Sequence, residues 1–234
     1  MKTQLLEFLS SHLTENRNAL FDRVLQNRTK YLTVVLEDIF QPHNASAVLR
    51  SCDCFGVQDV HIIENRNEYK VNRDVAMGST KWLSITKYSK KEDNTRLALQ
   101  QLKQQGYRIV ATTPHNCDVG LYDFDITLGK AALVFGTELT GVSDVVKEEA
   151  DEFLRIPMYG FTESFNISVS AALVLQHLAH EIRNKNVAWK LTNEEMTEVK
   201  LQWIKASVKS AVLIEKDFFR NQESVTKSFF LLDK

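Results

Sequence analysis

Apolar residues along this chain change rhythm twice. Over the first thirty residues Leu5, Leu6, Phe8, Leu9 and Leu13, then Leu20, Phe21, Val24 and Leu25, recur near helical spacing, which predicts one or two short amphipathic helices. From Tyr31 the pattern turns into compact β-branched runs at 31–37, 59–64, 83–88, 107–112, 131–135 and 153–156, each predicting a strand. Helical stretches separate most of them. The clearest runs from Glu92 to Gln105, with Ser89 and Glu92 spaced as a capping box and Gly106 placed to end it. Alternation of this kind predicts an α/β fold, a mainly parallel sheet with helices on both faces.

Helical rhythm returns after Asn166. Ile167, Ala171, Val174, Leu178 and Ile182 put one apolar stripe on a long helix, which must pack on the sheet or on another subunit. A further helix opens at Thr192 with a Thr-x-x-Glu cap to Glu195, and Met196, Val199, Trp203 and Ala206 continue an apolar face. Residues 218–234 are less regular. The expected organisation is therefore a helical extension over 1–30, an α/β domain over 31–185 and a C-terminal helical extension over 186–234.

Composition narrows this picture modestly. With 234 residues, 44% of them hydrophobic and 25% charged, the chain is long enough for a real core. A formal net charge of −1 gives no global attraction to a polyanion, so any nucleic-acid contact must come from local patches. Candidates are Arg17, Arg23, Arg28 and Lys30 near the start, and Lys205, Lys209, Lys216 and Arg220 on one side of a C-terminal helix, although a solvated face is the usual meaning of such stripes. Three cysteines without a C-x-x-C pair fit neither a disulfide framework nor a zinc ribbon, and point to a reducing cytoplasm. No apolar run is long enough to span a bilayer, and no metal site is expected: His177 and His180 lack the spacing of a zinc helix.

The chemistry gathers in loops that follow strands. Residues 31–37 lead into Pro42, His43, Asn44 and Arg50; 107–112 into Thr112, Thr113 and Pro114; 131–135 into Gly136, Thr137 and Glu138; 153–156 into Pro157, Ser164, Phe165 and Asn166. In an open parallel sheet ligands bind beyond the carboxyl ends of the strands, so these loops should converge on one site. FGTELTG is not a phosphate-binding Walker loop, because Gly141 is followed by Val142 and Ser143 rather than by lysine. Glycines there would let backbone approach a ligand, and Glu138 reads equally as a surface charge or a site residue. Ser164 or Asn166 can cap the following helix, whose N-terminus can also hold a polar ligand. No G-x-G-x-x-G follows the first strand, which argues against a nicotinamide enzyme.

Three segments, PHNASAVLRSCDCFGV, LVFGTELTGVS and IPMYGFTESFNISVSAAL, together resemble the signature motifs of the SpoU class of RNA ribose 2′-O-methyltransferases, within the SPOUT superfamily. They stand in the same order at comparable spacing, and AMGSTKW resembles the small-residue stretch between the first two. The N-terminal extension and the first motif are most similar to the TrmH subfamily, which methylates a guanosine ribose in the D-loop of tRNA. The resemblance implies a C-terminal deep trefoil knot cradling S-adenosyl-L-methionine, and a homodimer with the site close to its interface. It places catalytic roles on Arg50, Asn44, Glu138, Ser164, Asn166 and Ser168, and cofactor contacts around Thr112, Gly136, Ile156 and Phe165.

Methyl transfer to a ribose hydroxyl is an in-line displacement that needs alignment and help in removing a proton. A guanidinium does not ordinarily lose its own proton. Arg50 is therefore expected to fork onto the neighbouring RNA phosphate and stabilise developing alkoxide charge, with the phosphate or a water relaying the proton. Asn44 is expected to cap the helix that carries Arg50 or to orient the arginine, and Glu138 to fix a loop or the arginine. Ribosomal RNA as substrate, or a non-catalytic RNA-binding dimer on the same fold, stay open as alternatives.

Overall fold

The computed structural model describes residues 2–69, 72–89, 93–114 and 118–220. In chain order the elements begin with α1 (Lys2–Ser10), α2 (Glu15–Leu25), β1 (Leu32–Glu37), α3 (Pro42–Phe55), β2 (Asp59–Ile63), α4 (Arg73–Ala76) and β3 (Ser84–Tyr88). They continue with α5 (Asn94–Gln104), β4 (Arg108–Thr112), β5 (Val119–Gly120), β6 (Ala131–Phe135), α6 (Asp144–Glu149), β7 (Glu152–Arg155), α7 (Ile167–Asn184) and α8 (Asn193–Ser207). A last helix, α9, covers 211–220. Two compact units result: Arg28–Lys190 holds the sheet, and the described residues of 2–27 and 191–220 form the other.

All seven strands of the sheet pair in parallel, in the order β3-β2-β1-β6-β4-β7-β5. The six predicted runs are all strands. β5 went unpredicted, because two residues are too short to carry a pattern. β1, β6, β4 and β7 are consecutive neighbours in the sheet, so the four loops rich in reactive residues leave side by side from its carboxyl edge.

The interior explains why the central strands β1 and β6 are buried along their whole length and largely apolar: a parallel sheet is covered on both faces there. On one face Leu32, Val34 and Leu36 of β1 pack with Val48, Leu49 and Cys52 of α3 and with Ala171, Val174, Leu178 and Ile182 of α7. On the other, Val35 joins Ala132 and Val134 of β6 with Ala98, Leu99 and Leu102 of α5 and Val146 of α6. The stripe read on α7 is thus its sheet-facing side. Burying each of the Leu, Ile and Val side chains on these faces stabilises by about 1.5–3 kcal/mol.

The start of α5 differs from expectation. Glu92 of the expected capping box lies outside the described residues; the cap is Asp93, whose carboxylate accepts from the Arg96 N–H at 2.9 Å. Gly106 ends the helix as read, at φ +81 where a β-carbon would be strained.

In the second unit Phe21 of α2 meets Trp203 of α8 edge-on at 5.5 Å, and Thr192 and Glu195 complete the predicted capping box reciprocally at 3.2 and 2.8 Å. α8 buries Val199, Leu201, Trp203 and Ile204. Met196, in the first turn of α8, is only half-buried, and Ala206, one residue from its end, is exposed. Residues 218–220, expected to be irregular, belong to α9, where Phe218 packs on Phe8 at 5.1 Å. No helix among the described residues is long and apolar enough to cross a membrane.

Candidate active site

Beyond the carboxyl ends of β4, β6 and β7 lies a cleft of about 420 Å³, within the range of small-molecule sites. Thr112, Gly136, Ile156 and Phe165 all line it, and so do Glu138 and Ser164. Its floor is apolar, formed by Val142, Leu154, Ile156 and Ile167. Thr112 is tied by its hydroxyl to the Val134 carbonyl at 2.8 Å, which fixes it beside β6.

One wall is the loop after β6. It closes on itself through Thr137 N–H to the Gly141 carbonyl at 2.9 Å and Gly141 N–H to the Thr137 carbonyl at 3.0 Å. The turn is so tight that a β-carbon added to Gly136 would stand 2.2 Å from the Gly141 oxygen. Gly141 itself sits at φ +68, so both glycines of FGTELTG are required by local geometry.

At the rim the three motifs are joined by side chains. The Asn44 amide donates to the Glu138 carboxylate, and its carbonyl accepts from the Asn166 amide at 3.3 Å. Asn166 in turn caps α7, its oxygen accepting from the Ser168 N–H at 2.9 Å and the Ser168 hydroxyl at 2.6 Å. Asn44, Glu138, Asn166 and Ser168 therefore form one chain of hydrogen bonds drawn from the first turn of α3, the loop after β6 and the start of α7. Neither role expected of Asn44 is the one observed. α3 is opened by Gln41 with Pro42 in its first turn, and Asn44, buried inside that turn, links loops instead of capping or touching the arginine. Glu138, on the loop after β6, accepts from Asn44 and makes no hydrogen bond or ion pair with Arg50.

Arg50 stands apart. It is exposed on α3, does not line the cleft, and makes no hydrogen bond or ion pair among the described residues. The sequence reading of the basic patches also needs correction. Arg28 is buried and paired with Asp53, so it offers no surface charge. Lys205 and Lys209 do not share a helix with Lys216 and Arg220, because α8 ends at Ser207; Lys205 pairs with Glu215 at 2.6 Å and Arg220 with Asp217 at 3.6 Å.

Sequence reasoning passed over Lys147, Met158 and Glu163, which also line the cleft. Nothing in their spacing marked them. Lys147 is paired with Asp144 at 2.8 Å, so Glu138 and Glu163 leave the lining with an acidic balance. Such a balance favours a ligand that carries positive charge.

A family model described as the SpoU rRNA Methylase family matches residues 31–176. The chain is 42% identical over 207 residues to a tRNA (guanosine(18)-2′-O)-methyltransferase of Borreliella burgdorferi, covering 88% of this chain and 93% of that protein. It is 31% identical over 172 residues to the Escherichia coli protein of the same name, covering 74% of this chain and 73% of that one. Among solved structures, a TrmH/SpoU tRNA modifying enzyme of Aquifex aeolicus superposes with a TM-score of 0.74 at 31% identity, covering 84% of this chain and 98% of that one. The cleft and its rim are thus built from the segments the family model spans, and the chain belongs to the SpoU methylase family.

Proposed function

We propose that this protein transfers the methyl group of S-adenosyl-L-methionine to the ribose 2′-hydroxyl of a D-loop guanosine in tRNA. The observation that carries the reading is the cleft lined by Thr112, Gly136, Ile156 and Phe165 with the Glu138–Asn44–Asn166 chain along its rim. The names of the Borreliella and Escherichia relatives support the choice of guanosine and of tRNA.

The residues fit the cofactor. Apolar floor and tight glycine loop suit a flat nucleoside held by backbone groups, and the acidic balance suits a sulfonium. When bound, S-adenosyl-L-methionine supplies an electrophilic methyl group. Asn44 holds Glu138 and Asn166 in register, so the cofactor loop and the start of α7 keep one spacing. Arg50 binds the phosphate beside the target ribose and stabilises negative charge developing on the 2′-oxygen, while the phosphate or a water takes the proton. Ser164 and Ser168 orient the ribose at the rim.

The working form in this reading is a homodimer. α7 presents Val169 and Leu173, 43% and 40% exposed, four residues apart on the side away from the core, with Tyr122 exposed beside His177 at 5.2 Å. A second copy covering that stripe is the arrangement in which a guanidinium standing outside its own cleft completes a site. The trefoil knot belongs to the same reading: after β7 the chain runs past the loops of β4 and β6 before α7 packs back onto α3.

Incubation with labelled S-adenosyl-L-methionine and total tRNA, followed by mapping of the modified ribose, tests the whole. One D-loop 2′-O-methylguanosine is expected. Label appearing only in ribosomal RNA, or cofactor binding with no transfer, would replace this reading with one of its alternatives.

A further inference from the structure

At the carboxyl end of β1 an acidic side chain is enclosed: Glu37 is 2% exposed. It closes a run of buried apolar residues, where polar oxygens are costly unless donors meet them. Oε2 accepts from the Ser143 backbone N–H at 2.9 Å, and Oε1 accepts from the Ser143 hydroxyl at 2.7 Å and the Thr95 hydroxyl at 2.7 Å. No cation pairs with it among the described residues. Hydrogen bonds from two elements hold it instead.

Ser143 gives this enclosure its meaning. Its hydroxyl also accepts from the Val146 N–H at 3.2 Å, capping α6, and it directly follows Gly141 and Val142, which line the cleft. The loop from Gly136 to Ser143 thus has two fixed ends. One is β6, from which it springs; the other is a carboxyl group on β1, the strand paired with β6. Thr95 of α5 touches the same oxygen from outside the loop, and its hydroxyl also accepts from the Asn65 amide at 2.8 Å.

We propose that Glu37 is a positioning residue for the cofactor: through Ser143 it holds the 136–142 loop at the angle to the sheet that S-adenosyl-L-methionine requires. The inference rests on the cofactor reading above. Glu37 touches no ligand in it; its influence passes entirely through the backbone and hydroxyl of Ser143.

Titration calorimetry of the full chain with S-adenosyl-L-methionine separates the two claims, with thermal unfolding recorded for each variant. Failure of the unaltered protein to bind would overturn the cofactor reading itself. Given binding, Glu37→Gln and Ser143→Ala are each expected to weaken it about tenfold, and the double variant little further, since residues acting as one unit are not additive. KM for the cofactor should rise with kcat at saturation kept. Thr95→Val, which removes a bond to the same oxygen from the far side, should lower the unfolding midpoint while leaving affinity within about twofold. Equal weakening by Thr95→Val and Ser143→Ala would reduce Glu37 to a generic fold support and overturn the proposal, as would wild-type affinity in Ser143→Ala. That pair decides the matter even where Glu37→Gln does not fold.

Discussion

Single residues here act mostly by what they keep apart or together. Asn44 spends both ends of its amide on Glu138 and Asn166, so Asn44→Ala should cut methyl transfer at saturating cofactor about 10²-fold, the scale of a small misplacement of reacting groups. Single-turnover assays on tRNA check it, and an activity near that of the unaltered protein would remove the linking role. Arg50→Lys keeps a charge but loses the fork, so transfer should fall by at least about tenfold if phosphate is gripped through two parallel bonds. Retained activity with an unchanged pH profile would exclude bidentate contact. His61 gives a pH signature independent of catalysis. Burial beside the Tyr88 hydroxyl, 3.2 Å away, pushes its imidazole down to about 4 from 6.5. The folded state therefore holds it neutral while the unfolded chain takes up a proton, so stability is full above about 6.5 and is lost as pH falls towards 4. Unfolding midpoints across that window should slope, and His61→Leu should flatten part of the slope.

Elements were far more legible than the contacts between their ends. Runs such as 131–135 are apolar because both faces of a parallel sheet are covered, and that composition survives without coordinates. The stripe on α7 and the cap at Thr192 were legible for the same reason: they are local and periodic. What could not be read was partnership across sequence. Asn44 and Glu138 lie 94 residues apart, and a helix-start asparagine looks like a cap until the opposite loop is in place. Glu37 left a faint trace, a carboxylate ending a buried run, but its donors come from 58 and 106 residues away. The glycine loop shows how an element sets a limit of its own. Gly136→Ala drives a β-carbon to 2.2 Å from the Gly141 oxygen, so the loop must open, and affinity for S-adenosyl-L-methionine should drop by at least about tenfold while the sheet persists. Calorimetry with unchanged circular dichroism is the expected pairing; full affinity would mean the loop does not shape the cleft.

At the scale of the whole molecule, charge and shape say little until the chain is paired with something. The net charge is −1, several basic side chains are neutralised by neighbours, and the exposed stripe on α7 is small. If the homodimer proposed above is the working form, Val169→Glu with Leu173→Glu should leave monomers and remove transfer while each chain stays folded, as read by sedimentation and thermal unfolding. Persistence of a dimer would move the interface elsewhere. A last feature bears on how the sheet unit meets mechanical load. Thr29, at its entrance, is bridged antiparallel to Lys190, at its exit, and its hydroxyl holds the Trp189 carbonyl at 2.6 Å. A pull exerted on the sheet unit at its two ends, Arg28 and Lys190, is therefore taken up by this clasp first, and the strands behind it feel tension only after the clasp has let go.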